Sequence, residues 1–146
     1  MNSETAKKMI VFRKVDDKLD FSLSCKYKKY ENYLTVLSSG SGMIGANSYL
    51  VLWSMKDIEE LNNDYAVDEF LTDIILIGSD GGNMAYGINL EGKYVQVPFI
   101  GMDDDEVEII ASDFDEFISY LYSIGEQREK DYLCMTYIKI RNPNQG

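Results

Sequence analysis

Hydrophobic positions change period several times along the chain, and each change marks an element. Tyr27, Tyr30, Leu34 and Leu37 recur at three and four residues. That spacing puts them on one face of a helix over residues 25–37, with Lys26, Lys28, Lys29, Glu31 and Asn32 on the other side. Ser38, Ser39 and Gly40 read as its stop, Gly40 supplying a left-handed cap. Residues 49–53 are a short apolar and aromatic strand. Ser54 then opens a helix, with Asp57 three residues on in a variant of the capping box. Ile58 and Leu61 are its inner face, and Asn62, Asn63 and Asp64 end it. Residues 73–77 read as a buried strand, because every position from 74 to 77 is apolar. Gly78, Ser79, Asp80, Gly81 and Gly82 form a turn that needs positive φ, so the glycines, at least one of Gly78 and Gly81, are structural. Met84, Tyr86, Ile88 and Leu90 alternate with small or polar residues, the pattern of a strand with one inward face. Glu91 and Gly92 turn that strand into residues 93–99, where Val95, Val97 and Phe99 share a face. Pro98 cannot donate to a ladder, so that strand end belongs at an edge or bulge.

The second half continues with an acidic turn at Asp103, Asp104, Asp105 and Glu106, then a short stretch at residues 107–110. Ser112 with Asp115 reads as another capping box. Phe114, Phe117, Ile118 and Leu121 follow at i, i+3, i+4 and i+7, the clearest amphipathic pattern in the chain. Asp113, Asp115 and Glu116 lie in the first turn, where the helix dipole favours negative charge. Gly125 is expected to close this helix, and residues 132–140 to form a last strand. Residues 9–15 fit a strand or the end of a short helix, with strand favoured. The final five residues, 142–146, read as a frayed tail. The order of elements predicts one α+β domain over residues 1–146, built on a mixed, mostly antiparallel sheet flanked by helices.

Charge adds a partner class. The net charge is −11 and the chain has no His. Residues 1–30 carry 8 Lys/Arg against 4 Asp/Glu, residues 31–125 carry 2 against 18, and residues 126–146 carry 4 against 3. Basic ends flank an acidic middle. Such a balance opposes direct nucleic-acid binding, which needs a cationic face. It suits either internal neutralisation, the basic first segment packing beside the acidic body, or a field aimed at a cationic partner. Internal neutralisation is the commoner arrangement. Without His there is no Ser-His or Cys-His catalytic pair and no imidazole zinc site. Cys25 and Cys134 lack a CxxC pattern and lack an activating neighbour in sequence. No apolar run approaches a membrane span, and the first residues lack a signal-peptide core, so a cytoplasmic protein is expected.

Candidate motifs are few. Gly40, Gly42 and Gly45 match GxGxxG, and Glu59 or Glu60 stands where a dinucleotide fingerprint has its acid. That fingerprint must follow a strand and open a helix. Here it follows a predicted helix and leads into a strand, so it reads as a flexible turn and no cofactor is expected. The acids Asp103, Asp104, Asp105, Glu106 and Glu108 are first a solvated loop, second a partner surface, and a distant third a metal-dependent hydrolase site. Glu59 and Glu60 form a second acidic group. Trp53 fits the core better than an interface anchor. No catalytic residue is assigned.

One stretch carries a family resemblance. Residues 75–86, with Gly78, Asp80, Gly81 and Gly82, then residues 97–102, then residues 110–118, with Phe114 and Phe117, resemble the SUKH superfamily, in its Smi/Knr cell-wall-regulator-like branch. The shared pattern is a strand ending in I-G-s-d-G-G, a hairpin, and a final helix beginning a-x-s-F-e-e-F. Residues 30–34 and 53–65 also fit the family's order of parts, and the likeness spans residues 25–122. The chain departs at residues 23–26, which read Leu-Ser-Cys-Lys where the family has a Leu-Pro helix opening, and at Ser39-Gly40 in place of Asn-Gly. The resemblance implies an α+β domain with a mixed sheet, and binding rather than catalysis. Bacterial relatives are mostly immunity proteins that neutralise a toxin, often a nuclease; fungal ones are regulatory interaction proteins. The implied partner is a cognate protein toxin with a basic surface, with a scaffold or regulatory role as the alternative. Asp103, Asp104, Asp105, Glu106, Glu108, Glu59 and Glu60 are the candidate contacts.

Overall fold

The computed structural model describes residues 2–9, 11–14 and 22–141, the side chains only as far as residue 134. A helix α1 (Ser3–Lys8) leads to a two-residue strand β1 (Arg13–Lys14). After a 3-10 turn at Lys28–Tyr30 come α2 (Glu31–Leu34), β2 (Gly40–Ile44), β3 (Ser48–Leu52), α3 (Met55–Asp64) and α4 (Val67–Phe70). Then follow β4 (Ile74–Ser79), β5 (Met84–Asn89), β6 (Tyr94–Pro98), a 3-10 turn at Asp104–Glu106, β7 (Glu108–Ala111) and α5 (Phe114–Arg141). The strands form one seven-stranded sheet in sequence order. The α+β class holds. Every described pairing is antiparallel, so the sheet is a meander with no parallel pair among the described residues.

Two layers of core cover the two sheet faces. On one face Phe117, Ile118 and Leu121 of α5 are fully buried against Ile75 and Ile77 of β4 and Tyr86 and Ile88 of β5. Phe117 stacks on Tyr94 at 4.8 Å and meets Tyr86 edge-on at 5.2 Å. Burial pushes the Tyr94 and Tyr86 phenols well above their ordinary range. On the other face Leu76, Ala85 and Val97 pack under Val67 and Leu71 of the α4 segment and Met102. The strand period sorts the residues: Ile75 and Ile77 face one way and Leu76 the other.

The join between β3 and β4 is short. Only Val51 with Ser79 and Leu52 with Gly78 are paired there. A Cβ at Gly78 would lie 2.0 Å from the Val51 carbonyl oxygen, so only glycine allows the two backbones to approach this closely. Trp53 N–H still donates to the Ile77 carbonyl at 2.9 Å. The chain then turns away into α3, and the β4 edge loses its partner strand. Asn62 takes the vacant place. Its side-chain amide accepts from Leu76 N–H and donates to the Leu76 carbonyl, both at 2.8 Å, and also donates to the Ile58 carbonyl at 2.7 Å. Asn62 is buried, and its amide pairs with the strand as a neighbouring backbone would.

Several expectations are corrected. The helix expected over residues 25–37 is shorter, a 3-10 turn and the single turn of α2, but Tyr27, Tyr30 and Leu34 do share a buried face. Gly40 opens β2 and is no helix cap, and Gly40 to Ile44 is a paired strand where a flexible turn was expected. Gly78 belongs to β4; Gly81, at φ +82°, is the turn glycine. Leu90 is exposed, because β5 ends at Asn89 and the hairpin turn begins. Asn62 is a buried part of α3 and does not stop it. The cap of α5 is Asp113, which accepts from Glu116 N–H at 2.8 Å, while Glu116 reaches back to Ser112 N–H. Residues 132–140 are helical, because α5 runs through Gly125. A Cβ at Gly125 would sit 2.6 Å from Ser48 Oγ, so that glycine lets the helix pass close to the β2–β3 turn. Beyond it, Arg128 donates to Ser48 Oγ and Glu129 accepts from Asn47, which hold the helix against that turn. Residues 9–15 contain a helix end and a strand: Met9 caps α1, and β1 covers Arg13–Lys14, with residues 10 and 15 outside the described part. The expected tail at 142–146 also lies outside it.

Two substitutions test these joints. Phe117→Ala should destabilise the domain by ~3–5 kcal/mol in urea unfolding, as large aromatic truncations in cores do; a loss under about 1 kcal/mol would place α5 outside the core. Asn62→Leu keeps the bulk but orphans the Leu76 N–H and carbonyl, so it should cost about 3 kcal/mol. A loss within ~0.5 kcal/mol would mean that the amide is not what closes the β4 edge.

Candidate partner-binding surface

The acidic turn is held in place by its own carboxylates. Asp103 Oδ1 accepts from Asp105 N–H at 2.8 Å and caps the 3-10 turn. Asp104 reaches across to the α4–β4 connection. One of its oxygens accepts from Thr72 N–H at 2.8 Å and the other from the Thr72 hydroxyl at 2.7 Å. These two bonds, the backbone one foremost, hold the Asp104 carboxyl below the usual carboxylate range. Asp103, Asp105 and Glu106 are exposed. Among the described residues no ion pair reaches any of the four acids of this turn.

The other candidate acids separate from this turn and from one another. Glu108 is on the edge strand β7 and accepts from Gln96 at 3.1 Å. Glu59 accepts from Ser24 N–H at 2.7 Å, and its contacts with the Ser24 side chain and backbone lower its pKa. It ties the chain before α2 to α3. Glu60, the exposed neighbour, sits 3.8 Å from Lys56 in an i,i+4 pair. The basic first segment does neutralise part of the acidic body. Lys26 pairs with Asp68 and Lys29 with Asp73, each at 3.0 Å. Trp53 is half-buried and packs against both core layers, as expected of a core residue. Among the described residues no group of three or more His, Cys, Asp or Glu side chains converges on a point that could hold a metal ion. No helix of the described chain is long and apolar enough to cross a membrane.

Beside the acidic turn lies a feature that the sequence pattern did not reveal. Tyr65, Phe70, Phe99, Gly101 and Met102 line a pocket of about 180 Å³. Tyr65 and Phe99 lie with ring centroids 5.0 Å apart, and Trp53 backs Phe99 at 6.5 Å. Phe70 is 51% exposed, Tyr65 45% and Ile100, beside Phe99 on the turn, 82%. The Asp104–Thr72 bonds join the two segments that carry this pocket, because Thr72 follows Phe70 by two residues and Asp104 follows Met102 by two. Only spacing across α3, α4 and the β6–β7 connection brings these residues together. The sole signal in the sequence was a group of apolar residues at element ends, Tyr65, Phe70, Phe99 and Ile100, where polar ones are usual.

A family model described as the SMI1 / KNR4 family (SUKH-1) matches residues 11–120 of this chain. No curated protein matches it.

The Asp104 tether makes a pH prediction. A carboxyl whose folded pKa is depressed contributes stability above its unfolded pKa, near 3.9 for Asp, and loses it as pH falls through the lower folded value. The tether should therefore be intact at neutral pH and dissolve only in strong acid. Thr72→Val removes one of its donors and should raise the Asp104 titration toward the ordinary Asp value in carboxyl-detected NMR. An unchanged titration would show that the hydroxyl does not hold Asp104.

Proposed function

The chain belongs to the SMI1 / KNR4 family (SUKH-1), and from that premise we propose that it is a non-enzymatic binding domain of the immunity type. Its partner is a protein toxin with a basic surface, and it acts by occupying that surface. The observation that carries the reading is the acidic turn at Asp103 to Glu106, exposed and without an ion-pair partner among the described residues. A toxin that cleaves nucleic acid has a cationic cleft for phosphates. An acidic surface is steered to such a cleft by its long-range field and competes with the phosphates there. The net charge of −11 works in the same direction. Glu59 and Glu60 are secondary contacts, and the tethering of Glu59 to Ser24 gives Glu60 the greater share of contact. The reading assigns no catalytic residue and no cofactor.

Two experiments test it. The product of the adjacent gene should be toxic when expressed alone and harmless when this chain is co-expressed; lack of protection would move the reading to a regulatory scaffold. With that toxin in hand, neutralising Asp103, Asp104 and Asp105 together to Asn should slow association several-fold at low salt and flatten its dependence on ionic strength. The fold should survive, because Asn keeps a side-chain oxygen that can accept the Asp105 N–H bond at position 103 and a Thr72 bond at position 104, and the exposed charges themselves contribute little to stability. Superimposable association rates for the two proteins across ionic strength would place the binding face elsewhere.

A further inference from the structure

The aromatic pocket and the acidic turn sit side by side, and together they specify an occupant more closely than charge alone does. The pocket's volume, about 180 Å³, is below the roughly 300–1,000 Å³ typical of small-molecule sites. It suits one inserted side chain. Its walls are rings, with Phe70 and Tyr65 half exposed and Phe99 between Tyr65 and Trp53. Large apolar residues grouped at a surface mark interaction sites, and a buried anchor within a polar rim is the common plan of a protein interface.

The rim has one sign. Asp64 and Glu69 adjoin Tyr65 and Phe70 in the sequence, and Asp103, Asp104 and Asp105 follow Met102. Residues 57–92 and 94–125, which carry both halves of the surface, contain no Lys or Arg. Asp68 lines a separate cavity, where Lys26 pairs with it, and no ion pair reaches Asp64, Glu69 or the acids of the turn among the described residues. This pattern disfavours a second copy of the chain, which would bring the same charge, and disfavours nucleic acid, which would be repelled. A small apolar ligand would make no use of the rim.

We infer that this pocket receives a single apolar side chain from a cationic segment of the partner protein, with Lys or Arg residues on either side of it meeting the acidic rim. The inference rests on the partner-binding reading above and deepens it. In this arrangement the acids set the rate of encounter, and the pocket sets how long the complex lasts. Arg or Lys beside the anchor would also lie over the exposed faces of Tyr65 and Phe70, where a cation is attracted to the ring.

The test uses the full chain and a short synthetic peptide that alternates Lys and Gly around one central Phe, with a second peptide carrying Ser at the centre. Trp53 is the only tryptophan and touches Phe99, so its fluorescence reports on the pocket. Backbone amide shifts locate the contact. The Phe peptide should bind about tenfold tighter than the Ser peptide, shift Trp53 emission, and move amides of residues 65–72 and 99–106. Phe70→Ser should abolish the difference between the peptides while retaining the weak binding of both, with the fold checked by circular dichroism. Asp103→Asn with Asp105→Asn should weaken both peptides alike. Equal affinities for the two peptides, or amide shifts confined to the acidic turn, would overturn the pocket assignment and leave the acidic-surface reading standing. Failure of both peptides to bind at low salt would overturn both. Concentration-dependent shifts of the same amides without peptide would assign the pocket to self-association and overturn the proposal.

Discussion

The fold turns on a sheet that comes apart at one strand. The β3–β4 ladder is two pairs long, and past it the backbone of β4 would stand with a bare edge inside the protein. Buried N–H and carbonyl groups left unpaired are expensive, of order 1–3 kcal/mol each. The Asn62 side chain satisfies both groups of Leu76 and at the same time the Ile58 carbonyl of its own helix. No other single side chain in the described core does as much. An amide has a donor and an acceptor at the spacing of a peptide group, which is why Asn and not Asp or Leu serves here. The same geometry fixes α3 in rotation and depth against the sheet, because the two bonds to Leu76 leave it little freedom to slide.

That fixed helix decides what lies beyond it. Ile58 on α3 belongs to the core layer under α5, whereas Val67 and Leu71, a few residues later, belong to the opposite layer. The chain thus crosses from one face of the sheet to the other through the gap that Asn62 closes. The crossing is tight. Ala66 (φ 50°) and Asp73 (φ 51°), at either end of the α4 segment, are both in the left-handed region. For a residue with a Cβ that conformation costs on the order of 1–2 kcal/mol. The strain is held by Val67 and Leu71 in the core, by the Lys29–Asp73 pair and by the Asp104–Thr72 bonds. Phe70, between those anchors, is left facing solvent. A segment held this firmly, with its aromatic residue outside, has the rigidity an interface anchor needs: less ordering entropy is lost when a partner binds.

Legibility in the sequence followed the range of the interaction. The inner face of α5 repeats at three and four residues, so Phe117, Ile118 and Leu121 could be read directly, and all three are fully buried. The apolar run at 74–77 and the hairpin after it were equally local. The acidic turn was visible because its charges are consecutive. What was hidden depends on partners distant in sequence. An Asn near the end of a helix reads as a stop unless the strand it pairs with is known, and Leu76 is fourteen positions away. Gly125 reads as a terminator until Ser48 is seen to need its space. Residues 132–140 are rich in β-formers, but the polar stretch before them, with Glu126, Gln127, Arg128, Glu129 and Lys130, favours helix, and helix growth is cooperative once begun. The pocket was hidden for the same reason: Tyr65, Phe70, Phe99 and Met102 share no period and meet only when the α3–α4 crossing approaches the β6–β7 connection.

Charge completes the picture, because the basic and acidic blocks of the chain are not matched at every point. The cations of the first block that pair with acids of the middle block, Lys26 and Lys29, cover Asp68 and Asp73. The turn at Asp103 to Glu106 has no such cover among the described residues. Carboxylates gathered on one short turn repel each other, and a fold indifferent to their position would spread them out. Here one of them is spent as a structural tie to Thr72 and another as the cap of the turn, and those two bonds keep the remaining charges beside the rings of Phe70 and Phe99. The internal neutralisation is therefore partial. The pairs to Lys26 and Lys29 relieve the repulsion at Asp68 and Asp73, while the bonds of Asp103 and Asp104 hold the unpaired acids of the turn grouped instead of dispersed.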